Sequence, residues 1–87
     1  MTITTYNPAY DSAHFTILDR LPHARRKHPE EMTFLERWDT IRSEMDEVRA
    51  ELEKGDHDRA MDEYRDVGAT LYRAMEELSR FTGVSIR

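Results

Sequence analysis

Two acidic pairs share one internal spacing: Glu44 and Glu47, then Glu63 and Asp66. A three-residue step puts both members of a pair on one side of a helix. Four carboxylates brought together repel unless a cation neutralises them. Their hard oxygens suit Mg²⁺ or Mn²⁺. The chemistry to look for is therefore that of a divalent ion held by carboxylates, with an anionic ligand on its far side. The same residues also fit the solvated faces of two charged helices, since Asp and Glu number 18 in 87 residues.

Position relative to Gly55 sharpens the reading. Glu47 lies eight residues before it and Glu63 eight after, while Glu44 and Asp66 lie eleven residues away. If Gly55 is the turn of an antiparallel helical hairpin, residues equidistant from it sit at one height. At about 100° per residue the two pairs fall on the same flank of the hairpin. Thr40 and Thr70 are each fifteen residues from Gly55, and Arg37 and Arg73 each eighteen, on that same flank. Carboxylates, hydroxyls and guanidinium groups in that order suit a metal-bound phosphate chain, with arginine gripping the far oxygens.

The elements that must position these residues are helices. Thr33-Phe34-Leu35-Glu36 has the pattern of a capping box. Beyond it Phe34, Trp38, Ile41, Met45, Val48 and Leu52 recur in steps of four and three, one stripe of a helix that Gly55 ends. Asp56 and Asp58 support a second helix start, whose stripe runs through Ala60, Tyr64, Val67, Leu71, Ala74, Leu78 and Phe81 to Gly83. The short connection predicts an antiparallel hairpin. No strand pattern, repeat or low-complexity segment accompanies it.

The first part of the chain reads differently. All three prolines lie before residue 30, so helix is expected only after Pro29. Residues 1–32 read as an N-terminal arm or loop, with 13–21 forming either a short helix or an extended stretch. His23 to His28 form a basic loop, solvated or closing on phosphates. Residues 33–87 carry the hairpin. Trp38 and Tyr64 on the stripes read as core, with base stacking as the alternative for Trp38.

Composition narrows the function classes. The hydrophobic fraction is 38% and the charged fraction 36%, a lean core that makes association with a second copy plausible. There is no cysteine, hence no disulfide framework and no thiolate zinc site. The four histidines lack ligand spacing for zinc. No apolar run approaches the roughly 20 residues of a membrane span, and the N-terminus lacks a secretory pattern. A soluble cytoplasmic protein with no membrane partner is expected. The net charge of −5 argues against nucleic acid as the main partner, though not against a metal-bound nucleotide.

The segment "WDTIRSEMDEVRAELEKGDHDRAMDEYRDVGATL" resembles the MazG-like, all-α nucleoside triphosphate pyrophosphohydrolases. Their motif is Glu-x-x-Glu on one helix and Glu-x-x-Asp on the next. Here it reads Glu44-Met45-Asp46-Glu47, a gap of fifteen, then Glu63-Tyr64-Arg65-Asp66, within a match over residues 34–83. Where many members have two adjacent glutamates, this chain has Ser43 and Glu44.

The resemblance implies an all-α fold: an antiparallel helical hairpin completing a four-helix bundle by homo-oligomerisation, as a homodimer or tetramer. It implies Mg²⁺-dependent hydrolysis of an NTP or dNTP to monophosphate and pyrophosphate. Glu44, Glu47, Glu63 and Asp66 would hold Mg²⁺ or Mn²⁺, and Glu47 is the candidate to orient or deprotonate the attacking water. Arg37, Arg73 and Trp38 are the candidate substrate contacts. The family usually continues past the segment matching "FTGVSIR" into a further helix, so here the substrate pocket is expected from the N-terminal arm or a partner subunit, or is absent. The alternatives are a non-catalytic binding or regulatory protein of the same fold, and a purely structural helical dimer.

Overall fold

The computed structural model describes residues 8–27 and 32–87. Among them are three helices and no strands: α1 (Pro8–Lys27), α2 (Phe34–Lys54) and α3 (His57–Thr82). Helix α3 lies in the middle, packing on α2 along one side and on α1 along another. Among the described residues no helix is long and apolar enough to cross a membrane.

The hairpin follows from local chemistry. Thr33 Oγ1 accepts from the Glu36 N–H at 3.1 Å, and Glu36 Oε1 accepts from the Thr33 N–H at 3.0 Å, closing both halves of the capping box. Gly55 has φ 76°, the left-handed conformation that side chains resist. Its N–H reaches Leu52 O and the Asp56 N–H reaches Glu51 O, both at 3.0 Å, the paired bonds of a Schellman ending. Asp56 Oδ1 then accepts from the Arg59 N–H at 3.1 Å and starts α3. Gly55 and Asp56 alone separate the helices, so the chain must fold back.

Helix α1 corrects the reading of the first part of the chain. Helix begins at Pro8 and runs through Pro22, so residues 8–27 are neither arm nor loop, and His23 to Lys27 form the last turns of a helix. Residues 1–7 and 28–31 lie outside the described residues. A proline at a helix start loses nothing, because its missing N–H would be an orphan there. Pro22 does remove an interior hydrogen bond. Packing against α3 offsets that cost. Gly68 lets α1 come close: a Cβ at this position would lie 2.6 Å from Ile17 Cδ1 and 2.7 Å from its Cγ1. His14 Nδ1 also meets the Tyr72 hydroxyl at 3.0 Å.

The apolar stripes need a second correction. Val48, Ala60 and Ala69 are buried, but Phe34, Met45, Leu52, Leu71 and Leu78 are exposed, and Trp38 is 60% exposed. On α2 the buried positions Arg37, Glu44 and Val48 are rotated roughly 75° from the Phe34–Trp38–Met45–Leu52 stripe. The α2–α3 seam is therefore built from small and polar side chains, and the large apolar ones form an open face beside it. Phe34, Trp38 and Ile41 of α2 line one cavity of about 280 Å³ with Leu71, Met75 and Leu78 of α3, so both stripes open on the same face.

Candidate functional site

The four acids occupy different environments. Glu44 is buried in the α2–α3 seam, whereas Glu47 is exposed. Glu63 and Asp66 on α3 are half-buried. Asp66 is engaged from α1: Arg20 Nε donates to its Oδ1 at 2.7 Å. That bond holds the Arg20 guanidinium above its ordinary pKa against partial desolvation, with further attraction from Asp66, Asp62 and Glu63. This edge of α3 thus draws a cation and already has one.

Side-chain direction explains why level positions do not converge. Helical side chains lean toward their own N-terminus. In an antiparallel pair, tips on α2 therefore lean away from the turn and tips on α3 toward it. The ion pair between Arg37 and Glu77 records this offset, because one lies 18 residues before Gly55 and the other 22 after it. Glutamates placed level by sequence are drawn apart in the same way. Among the described residues no group of three or more His, Cys, Asp or Glu is placed to hold a metal ion. The oxygen donors suit a hard divalent cation by type, but as placed here three of the carboxylates do not surround one point.

The expected substrate contacts are also placed. Arg37 is buried, its Nε donating to Glu77 Oε1 at 2.8 Å and its Nη2 to Oε2 at 3.3 Å. Its Nη1 is buried without an acceptor. Arg73 Nη1 donates to the Ala24 carbonyl at 3.2 Å, satisfying a carbonyl of the last turn of α1. Burial lowers the Arg73 pKa, and repulsion from Arg37 adds to this while Glu77 opposes it. Thr40 bonds back to the Glu36 carbonyl at 3.0 Å, and Thr70 is buried. Trp38 stands at the rim of the cavity whose lining includes Arg37 and Glu77. Arg37 and Trp38 thus border one concavity, while Arg73 and Asp66 face α1.

Two participants escaped the sequence reading. Arg20 was hidden because its segment, 13–21, was left open between a short helix and an extended stretch; the helical spacing of Ile17, Leu21 and Ala24 beside it was the available signal. Glu77 was one of several acids without a role, and no local pattern ties it to a residue 40 positions away. No family model, curated protein or solved structure matches this chain.

Proposed function

We propose that this chain is a MazG-like hairpin that hydrolyses a nucleoside triphosphate, NTP or dNTP, to monophosphate and pyrophosphate with Mg²⁺ or Mn²⁺. The observation that carries the reading is the cation-attracting edge of α3, where Asp66 Oδ1 accepts from Arg20 Nε at 2.7 Å beside Asp62 and Glu63. Glu44 and Glu47 follow on the neighbouring helix, in the motif order of the family the sequence resembles. The ion, when bound, polarises the phosphate and acidifies a water. Glu47, the exposed acid of the four, would orient that water. Arg73 would offer positive charge to the phosphate chain at the level beyond the acids. Arg37 contributes through the lining of the cavity, where Trp38 provides a ring face for the base.

The same reading has the chain act as a homodimer or tetramer, the open face completing a four-helix bundle. Trp38, Phe34, Met45, Leu71, Met75 and their neighbours are between 42% and 60% exposed. With Leu52, Tyr64 and Leu78 at 42% to 45%, they leave roughly 700 Å² of residue surface open, given about 150–250 Å² for each large side chain. A monomer's largest apolar patch is about 300–600 Å², and a standard interface takes about 800 Å² from each partner. Trp38 is the single tryptophan, so its emission should shift to the blue as protein concentration rises through the association range. A spectrum independent of concentration, with a monomeric mass throughout, removes the assembly.

Pyrophosphate release from a panel of (d)NTPs with Mg²⁺ tests the activity, and Glu47→Gln and Asp66→Asn should each abolish it. No release from any nucleotide, with folded protein and Mg²⁺ in excess, rejects the enzyme. The ion pair on Asp66 favours one second reading, a binding or regulatory module. Its signature is nucleotide- or metal-dependent thermal stabilisation without turnover.

A further inference from the structure

The described residues bury no large apolar side chain. Ala24, Val48, Ala60 and Ala69 are the buried apolar residues among them, and no Phe, Trp, Tyr, Leu, Ile or Met is buried with them. So small a core leaves a chain of this length short of apolar burial, and the large side chains that would fill it stand on the open face of α2 and α3. A second copy supplies a matching face, because a two-fold contact buries the same surface on both sides. The face of α2 and α3 falls somewhat short by itself, at roughly 700 Å² against the about 800 Å² a standard interface takes from each partner.

The remainder lies just past α3. Gly83 closes that helix at φ 77°. The Val84 N–H then donates to Thr82 Oγ1 at 3.2 Å, and the Arg87 N–H to Ser85 Oγ at 3.1 Å. The segment 83–87 is thereby held beside α3, where Val84 and Ile86 line a second cavity, of about 140 Å³, with Met75, Leu78 and Ser79. Met75 and Leu78 also line the larger cavity on the open face. The two cavities share these walls, so the segment continues the open face. Val84 and Ile86 are each 58% exposed. At about 150 Å² for each side chain they add roughly 170 Å², which brings the continuous apolar surface to the size of a standard interface.

We propose that Val84 and Ile86 belong to the surface by which two copies of this chain associate, the segment 83–87 of one copy packing these side chains on the open face of the other. This rests on the reading of that face as the contact between copies. It adds to the helix–helix contact a non-helical edge, contributed by each copy to its partner.

The test is sedimentation velocity of the full chain over a concentration series, for wild type, Val84→Ser/Ile86→Ser and Val84→Leu/Ile86→Leu, each checked for helix content by circular dichroism. The serine pair is expected to raise the dissociation constant about tenfold or more, the scale of losing two buried apolar anchors. The leucine pair, which keeps the apolar surface, should stay within about threefold of wild type. Equal association by wild type and the serine pair overturns the proposal and leaves the assembly standing. Equal weakening by the serine and leucine pairs also overturns it. A wild type that is monomeric at every concentration overturns both the proposal and the assembly. If the serine pair unfolds the chain, Ile86→Thr takes its place; about a threefold weakening is expected, and no weakening would count against the proposal.

Discussion

Gly68→Ala tests the docking of α1, on which the position of Arg20 depends. Gly68 lies inside α3 and, unlike Gly55 and Gly83, has no positive φ, so alanine fits its backbone. Helix propensity alone favours alanine by about 1 kcal/mol. The new Cβ would, however, lie 2.6 Å from Ile17 Cδ1 and 2.7 Å from Ile17 Cγ1. Cγ1 is bonded to the branch point, so only a χ1 rotation moves it, and that swings Cγ2, 3.4 Å from the new Cβ, and Cδ1 with it. Overpacking of this kind costs about 1–3 kcal/mol. The net expectation is a loss of about 1 kcal/mol, or a fall of about 4–8 °C in Tm for a domain of this size. In an Ile17→Ala background the opposing Cδ1, Cγ1 and Cγ2 atoms are gone, and Gly68→Ala should stabilise by about 1 kcal/mol. The sign reversal, a coupling of about 2 kcal/mol, is read by urea denaturation of the four proteins at one fixed concentration. If Gly68→Ala stabilises equally in both backgrounds, Ile17 is not seated on Gly68 and the placement of α1 falls with it.

Other perturbations address the seam, the turn and the cap. Glu77→Gln leaves the Arg37 charge, whose side chain is 3% exposed, without its carboxylate. A loss of about 3 kcal/mol in urea denaturation is expected, largely recovered in Arg37→Met/Glu77→Leu; a loss under 1 kcal/mol would show that the pair is not buried. Gly55→Ala meets no atom within 4 Å, so only backbone strain opposes it. A loss of about 1–2 kcal/mol is expected, and a neutral result would rule out the left-handed turn. Glu36 accepts first from the Thr33 N–H and then bonds the Thr33 side chain, which lowers its pKa below the usual 4.5. A lowered carboxylate pKa gives stability that is complete above 4.5 and is lost as pH falls through the folded-state value. The Tm advantage of wild type over Glu36→Gln should therefore shrink below pH 4.5, and an advantage constant down to pH 3 would refute the cap's contribution.

Helices α2 and α3 were legible because their signals are local. The Thr33–Glu36 box, Gly55 and the Asp56 cap act within one turn of chain, and each forms as its residue types dictate. The periodicity of Phe34, Trp38, Met45 and Leu52 correctly put these residues on one face. It did not say what covers that face, and here the seam passes beside it through Arg37, Glu44 and Val48. The extent of helix α1, left open as a short helix or an extended stretch over 13–21, was missed for the opposite reason. Pro22 imposes a local penalty, and the contacts that outweigh it come from Ile17, His14 and Arg73, which meet their partners only across the fold.

The candidate site divides along the same line. Sequence alone determined which acids sit on which helix, their three-residue spacing and the fold-back that sets the two helices beside one another, because these depend on helical pitch and one glycine turn. Tertiary structure decided which of them are buried, that Arg37 faces Glu77, and that Arg20 neutralises Asp66. Those outcomes depend on the lean of side chains on antiparallel helices and on a third helix docked against Gly68. Both are long-range facts, fixed by packing between residues far apart in the chain.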